Sequence, residues 1–309
     1  MVQPANPPPL EILFDKASKF YEPRETVSGT ISLTSAKTYT DHGEVTLIAE
    51  AYMDTVSAIR GNVGRLPMKT ADRFMFMSKT MTVSSGGKTI ATDPLKFNFL
   101  LENTGTHQLI DAYVGVEFSV VYKVTVKINN VGGRAVDGKA EFYCSVPGCG
   151  IDPAIGKRYV PQDFNITPDG IAAGVKPGTK VPKFHFFGQI SSTNCCFNEP
   201  FEGYLIAKDS ELQIKSIEIQ LVRVETFEDP DKPIDKRLVC SATEVQNIQV
   251  ADGNVMPDMQ IPLYMLFPKI YSCATYIGAT FKVEFHVNLI VIFHNGYQLT
   301  ENIPIRIYR

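Results

Sequence analysis

Between Ile214 and Thr226, the residues Ile217, Ile219 and Leu221 alternate with Glu218, Gln220 and Val222. A period of two fits a half-buried strand and no helix. The segment FEDPDKPIDKRLVCS interrupts the pattern. It resumes less regularly from Val245 in ATEVQNIQVADG (Ala242 to Gly253) and stops on the turn dipeptide Asp252-Gly253. Two such arms around a polar loop predict a long β-hairpin. Further on, Phe281, Val283, Phe285, Val287, Leu289, Val291 and Phe293 share one face. At about 1.5–3 kcal/mol per buried large side chain, that face supplies on the order of 10–20 kcal/mol before chain entropy is subtracted. Ile303, Ile305 and Ile307 predict a last strand, with Pro304 marking an edge or a strand start.

The first half carries the same signal. Val27, Gly29, Ile31 and Leu33 alternate, then Val45, Leu47, Ala49, Ala51 and Met53, then Leu95, Phe97 and Phe99. Val116 to Ile128 gives the longest strand of that half. The second half repeats the first at offsets of roughly 167 to 174 residues. Gly203 between Phe201 and Leu205 echoes Gly29, and Ile217, Ile219 and Leu221 echo Val45, Leu47 and Ala49. Leu263, Met265 and Phe267 echo Leu95, Phe97 and Phe99, and the VEF at Val283 echoes the VEF at Val116. This is an internal duplication of one β-sandwich. The chain of 309 residues has room for two, since one sandwich needs about 100. The expectation is an all-β tandem of two sandwich lobes, residues 10–158 and 159–309. The proline- and glycine-punctuated segment 146–182 links them. Residues 1–9, with four prolines, are expected to be a disordered tail; a proline-rich ligand segment is the other reading.

A 44% hydrophobic and 10% aromatic composition supports sizeable cores and excludes global disorder. Net charge is -3, from 30 basic and 33 acidic residues intermixed along the chain, so the basic stripe that nucleic acid requires is missing. MVQPANPPPL lacks the pattern of a signal peptide, and the longest apolar run, Leu289 to Phe293, is far below the roughly 18 residues of a membrane helix. Six cysteines outside any small secreted framework point to free thiols in a reducing compartment. The location expected is cytoplasmic, with any membrane contact indirect.

No motif carries catalytic chemistry. Cys144 and Cys149 have tolerable zinc spacing, but the adjacent Cys195 and Cys196 do not suit one ion, so no metal is expected. SSGGKT (Ser84 to Thr89) ends like a phosphate loop, yet Thr82 stands where that motif needs glycine and a strand follows, so a hairpin tip is expected. The five histidines form no ligand pair, and His286 falls opposite the apolar face of its strand. No cofactor is expected and no enzyme. The acids Glu225, Glu228, Asp229, Asp231 and Asp235 read as a solvated hairpin loop, with contact to a partner as the alternative. In the arm that follows, Glu244, Gln246, Asn247 and Gln249 flank Val245, Ile248 and Val250, which suits an edge strand that docks onto another protein.

The run from Ile214 to Gly253, with PLYMLFPKIYSCAT (Pro262 to Thr275), Phe281 to Arg309 and the amino-terminal LEILFDKASKFYEPRETVSGTISLTS, resembles the arrestin-fold small subunits of endosomal sorting coats. These are the retromer small-subunit family, and the wording IQLVRVET and TEVQNIQVADG favours the retriever branch. The match is weak between about Asp54 and Leu95. The loop from Phe227 to Ser241 is longer and more charged than the family form, and the proline tail is an addition.

The resemblance implies a non-enzymatic scaffold, peripheral on endosomes, that recycles membrane cargo to the cell surface. Its carboxy-terminal lobe would dock onto a large α-helical solenoid subunit of the retriever. A metallophosphatase-like third subunit would join through the solenoid, with a sorting-nexin cargo adaptor and a COMMD-containing Commander assembly beyond. Carried over by position, the solenoid contact falls on Glu244, Val245, Gln246, Asn247, Ile248, Gln249, Val250, Asp252, Pro262, Leu263, Tyr264 and Met265. The ordinary reading of Val245, Val250 and Leu263 is plain core. Within the same fold, a retromer small subunit or an arrestin-domain trafficking adaptor remains open. From another class, so does an extracellular ligand-binding β-sandwich.

Overall fold

The computed structural model describes residues 10–33, 40–55, 74–89, 93–105, 107–131, 133–171, 181–228, 233, 235, 237–268 and 273–309. The proline tail, most of the segment 55–92, and Asp229 and Asp231 of the acidic loop lie outside them. The chain divides into two compact units, Met1–Pro147 and Gly148–Arg309.

In the first unit the strands are β1 (Leu10–Phe14), β2 (Phe20–Tyr21), β3 (Thr26–Leu33), β4 (Thr40–His42), β5 (Val45–Thr55) and β6 (Phe74–Ser84). They continue as β7 (Gly87–Thr89), β8 (Leu95–Leu100), β9 (Tyr113–Val114), β10 (Phe118–Val131) and β11 (Arg134–Cys144). One sheet runs β1-β3-β8; the other runs β2-β11-β10-β5-β6, with β9 also on β10. Ser84 to Thr89 forms the bend between β6 and β7, where β7 pairs with β4.

The second unit has β12 (Gln162–Ile166), β13 (Phe184–Ile190), β14 (Asn194–Cys196), β15 (Phe201–Ser210) and β16 (Ile214–Glu228). After these come β17 (Leu238–Asp252), β18 (Gln260–Met265), β19 (Tyr276–Ile277), β20 (Phe281–Phe293) and β21 (Gln298–Tyr308). Its sheets run β12-β13-β15-β18 and β14-β21-β20-β16-β17, with β19 on β20. One helical turn, Pro168–Ile171, follows β12.

The second unit repeats the first strand for strand, except that β12 has no counterpart in the first unit and the pair β4 and β7 has none among the described residues of the second. Even the one parallel pairing recurs, β11 with β2 and β21 with β14. Tyr113-Val114-Gly115-Val116-Glu117-Phe118 and Tyr276-Ile277-Gly278-Ala279-Thr280-Phe281 form the same tight turn. Gly115 N–H donates to the Phe118 carbonyl and Gly278 N–H to the Phe281 carbonyl, each at 3.0 Å. This pair aligns Phe118 with Phe281, so the repeated VEF is a coincidence of composition and not an equivalent position. Pairing also moves one expected echo by a pleat. Gly29 opposes Phe97 and Gly203 opposes Leu263, which matches Leu263 to Phe97 and Met265 to Phe99.

Packing follows the alternation. All seven predicted core side chains of β20 are at most 2% exposed. In the first unit Tyr122 is buried, and its hydroxyl donates to the Ile110 carbonyl at 2.6 Å. Burial, more than the neighbouring Cys144, pushes that phenol well above its usual range. Gly29 is required by a close approach: a Cβ there would meet the Leu13 carbonyl, with Phe97 Cζ 2.7 Å away. Pro304 sits where β21 has lost its second neighbour, since β14 pairs only with Arg306, Ile307 and Tyr308.

A candidate docking edge in the second unit

β17 pairs with β16 along thirteen positions and is the terminal strand of its sheet; β18 is the terminal strand of the facing sheet and lies beside it. The twelve residues singled out from the sequence fall on these two edges. Terminal strands leave one row of backbone N–H and C=O groups without ladder partners, which invites association with another chain.

β17 is bent by two bulges. Ile217 opposes Ala251 while Glu218 opposes Gln249, so Val250 is an extra residue; Leu221 opposes Gln246 while Val222 opposes Glu244, so Val245 is another. This is the physical source of the irregular alternation in that arm. Val245, Gln246, Ile248 and Val250 are half-buried, whereas Glu244, Asn247, Gln249 and Asp252 are exposed. On β18, Pro262 and Tyr264 face outward, and Leu263 and Met265 are core side chains at 2% and 0% exposure. Pro262 lacks the N–H a central strand needs, and an edge tolerates that. Glu244, Asn247 and Gln249 lie opposite the core face of one sheet. Pro262 and Tyr264 lie opposite the core face of the other. Ten of the twelve residues are therefore outward sets joined around one flank by the half-buried row; Leu263 and Met265 are core and cannot meet a partner there.

Two residues with a distinct environment were not recognised from sequence. Arg223 and Glu225 share the inward face of β16 with Ile217, Ile219, Leu221 and Phe227, at 4% and 0% exposure, with Arg223 Nη2 3.6 Å from Glu225 Oε2. Glu225 is thus core, not part of a solvated loop; Glu228 and Asp235 are exposed as expected. The signal was present, because positions 223 and 225 keep the phase of the apolar residues before them. His286 lies opposite the core face, as its place in the alternation predicted, with Nδ1 2.9 Å from Asn302 Oδ1.

No cysteine is in a disulfide; Cys144, Cys195 and Cys273 are buried and Cys240 is exposed. Among the described residues, no three His, Cys, Asp or Glu side chains converge as metal ligands. Two clefts of the second unit, of about 150 and about 270 Å³, fall below the roughly 300–1,000 Å³ of typical small-molecule sites. No helix among the described residues is long and apolar enough to cross a membrane.

The sequence pattern of vacuolar protein sorting-associated protein 26 matches residues 202–296, which include β16 to β20 and so both candidate edge strands. Vacuolar protein sorting-associated protein 26C of Dictyostelium discoideum is 33% identical, over 97% of this chain and 99% of its own length. The chain belongs to the Vps26 family. The relative matched over nearly its full length is of the C type, and the all-β architecture described above is the arrestin-like two-lobe sandwich expected of Vps26 proteins.

Proposed function

We propose that this chain is the non-enzymatic small subunit of a retriever-type endosomal sorting complex. Its second sandwich docks through β17 and β18 onto the end of a large α-helical solenoid subunit. The complex recycles membrane cargo from endosomes to the cell surface. The observation that carries this reading is the match to a Vps26C protein over nearly the whole of both chains. Support for the docking edge comes from two adjacent terminal strands whose outward side chains are polar and amide-rich on one and apolar on the other. A metallophosphatase-like subunit, a sorting-nexin adaptor and a COMMD-containing assembly would associate through the solenoid and not through this chain.

Affinity purification of the full-length chain from its native cell tests the reading. It predicts one long helical-repeat protein in equimolar amount, lost when β17 carries charge reversals. Recovery of the retromer solenoid instead would move the chain to that complex. Recovery of no helical-repeat protein would overturn the docking role.

A further inference from the structure

Five side chains form one hydrogen-bonded row across the outward face of the large sheet in the second unit. His286 Nδ1 lies 2.9 Å from Asn302 Oδ1, and Asn302 Nδ2 donates to Asn288 Oδ1 at 2.7 Å. Asn288 Nδ2 donates to Gln220 Oε1 at 2.8 Å, and Gln220 Nε2 donates to Glu244 Oε2 at 2.6 Å. Strand pairing places Asn302 opposite Asn288 and Asn288 opposite Gln220, so the row spans β21, β20 and β16 before ending on β17. Every amide donates towards the edge, and the row ends on a carboxylate, which when ionised only accepts. Bonds aligned in one direction polarise one another. Reversing any amide would bring oxygen against oxygen and nitrogen against nitrogen.

A second, shorter row lies beside it. Asn247 Nδ2 donates to Glu218 Oε2 at 2.9 Å, and Ser216 Oγ donates to Glu218 Oε1 at 3.0 Å. These bonds turn the Asn247 amide inward. One side-chain acceptor then remains open on the outward side of the edge, Glu244 Oε1, unpaired among the described residues; Gln246, opposite the core residue Leu221, keeps its Oε1 sheltered from water on the other face. An edge presenting an acceptor requires a partner that brings a donor.

We infer that Asn288 and Asn302 are positioning residues for the docking edge: acting through Gln220, they fix the Glu244 carboxylate so that it receives a cationic side chain, arginine or lysine, of the partner. The inference rests on the docking role proposed above.

Its test has two arms. In the first, side-chain amide resonances of Gln220, Asn288 and Asn302 are followed by NMR in the full-length chain without partner. Glu244→Ala is expected to shift all three. A change confined to Gln220 would overturn the row. In the second, binding to the helical-repeat protein recovered in the purification is measured for Asn288→Asp. The new carboxylate accepts from both neighbours and turns the Gln220 amide away from Glu244. The expected result is about a tenfold loss of affinity with an unchanged melting temperature, falling below about twofold in a Glu244→Ala background. Equal losses in both backgrounds would overturn the positioning role. Asn302→Asp, which reverses the row one step earlier, replaces Asn288→Asp if the latter lowers the melting temperature. Recovery of no helical-repeat protein overturns the docking role itself, and the NMR arm still decides whether the row is one unit.

Discussion

The buried pair Arg223 and Glu225 makes a sharp stability prediction. Equivalent core positions of the first unit, aligned through Phe118 and Phe281, are Ala51 and Met53, both apolar and buried. The fold therefore does not require charge there. Replacing Glu225 alone with Leu leaves a guanidinium at 4% exposure without the carboxylate 3.6 Å from it. Breaking a buried pair in this way costs about 3–5 kcal/mol, while replacing both partners by apolar residues of similar volume is often neutral or better. For a unit of this size, 1 kcal/mol moves the melting temperature by about 2–4 °C. Glu225→Leu should therefore lower it by about 6–20 °C, and Arg223→Met with Glu225→Leu should recover more than half of that loss. Differential scanning calorimetry of the full-length chain reads both values. A single-substitution loss below about 1 kcal/mol, or a double variant at the sum of the two single losses, would refute the reasoning, because either result means the two charges are not a coupled pair in the core.

Gly29→Ala pushes a methyl group into the Leu13 carbonyl and the Phe97 ring, and an overpacked core of this kind loses roughly 1–3 kcal/mol; urea unfolding should show it, and Gly203→Ala should do the same to the second unit. Glu244→Lys with Asp252→Lys should weaken capture of the helical-repeat partner at least tenfold, about 1.4 kcal/mol, and leave the melt unchanged, because both side chains are exposed. Burial, with a smaller push from Cys196, raises the Cys195 thiol from 9.0 to about 12. Its stabilising contribution is therefore complete below about pH 9 and is lost as the pH climbs towards about 12, where the unfolded chain ionises this thiol first. Over that window Cys195→Ala should flatten the fall of unfolding free energy with pH by up to about 1.4 kcal/mol per unit; equal slopes would refute it.

The alternation in β16 and β20 was readable because each strand has one buried face, so the period alone fixed the strand and its inward side. The repeat was readable in outline for the same reason. It slipped by a pleat at Leu263 because apolar residues two apart are interchangeable in sequence and only pairing fixes their register. Glu225 was assigned to the loop because nearby acids outweighed its phase, although phase is what decides which face a side chain takes. The candidate edge was visible as an amide-rich strand, but its bulges looked like noise, since an extra residue and a random substitution disturb a period of two equally. The row from His286 to Glu244 had no sequence signal. Its members are brought together by the registers of three strand pairs.

The bulges also separate what the fold imposes on β17 from what is peculiar to it. In the first unit Val45 opposes Ser84 and Thr46 opposes Thr82, so Val83 is an extra residue; Val45 and Thr46 are the equivalents of Ile217 and Glu218, where Val250 is the extra residue. That bulge is inherited architecture, twisting a terminal strand so that another strand cannot add to it. The second bulge is not in the same place. It falls between Ala51 and Tyr52 in the first unit, where Phe76 is the extra residue and is fully buried. In the second unit it comes one pleat earlier, and the extra residue is the half-buried Val245 between Glu244 and Gln246. Moving this bulge places the outward Glu244 at a kink in the edge, and with both bulges in the strand it disfavours recognition by strand addition. A partner docking on β17 as proposed would then be read by side chains. Substituting Val245, which makes no ladder pair, should change affinity for the helical partner more than stability.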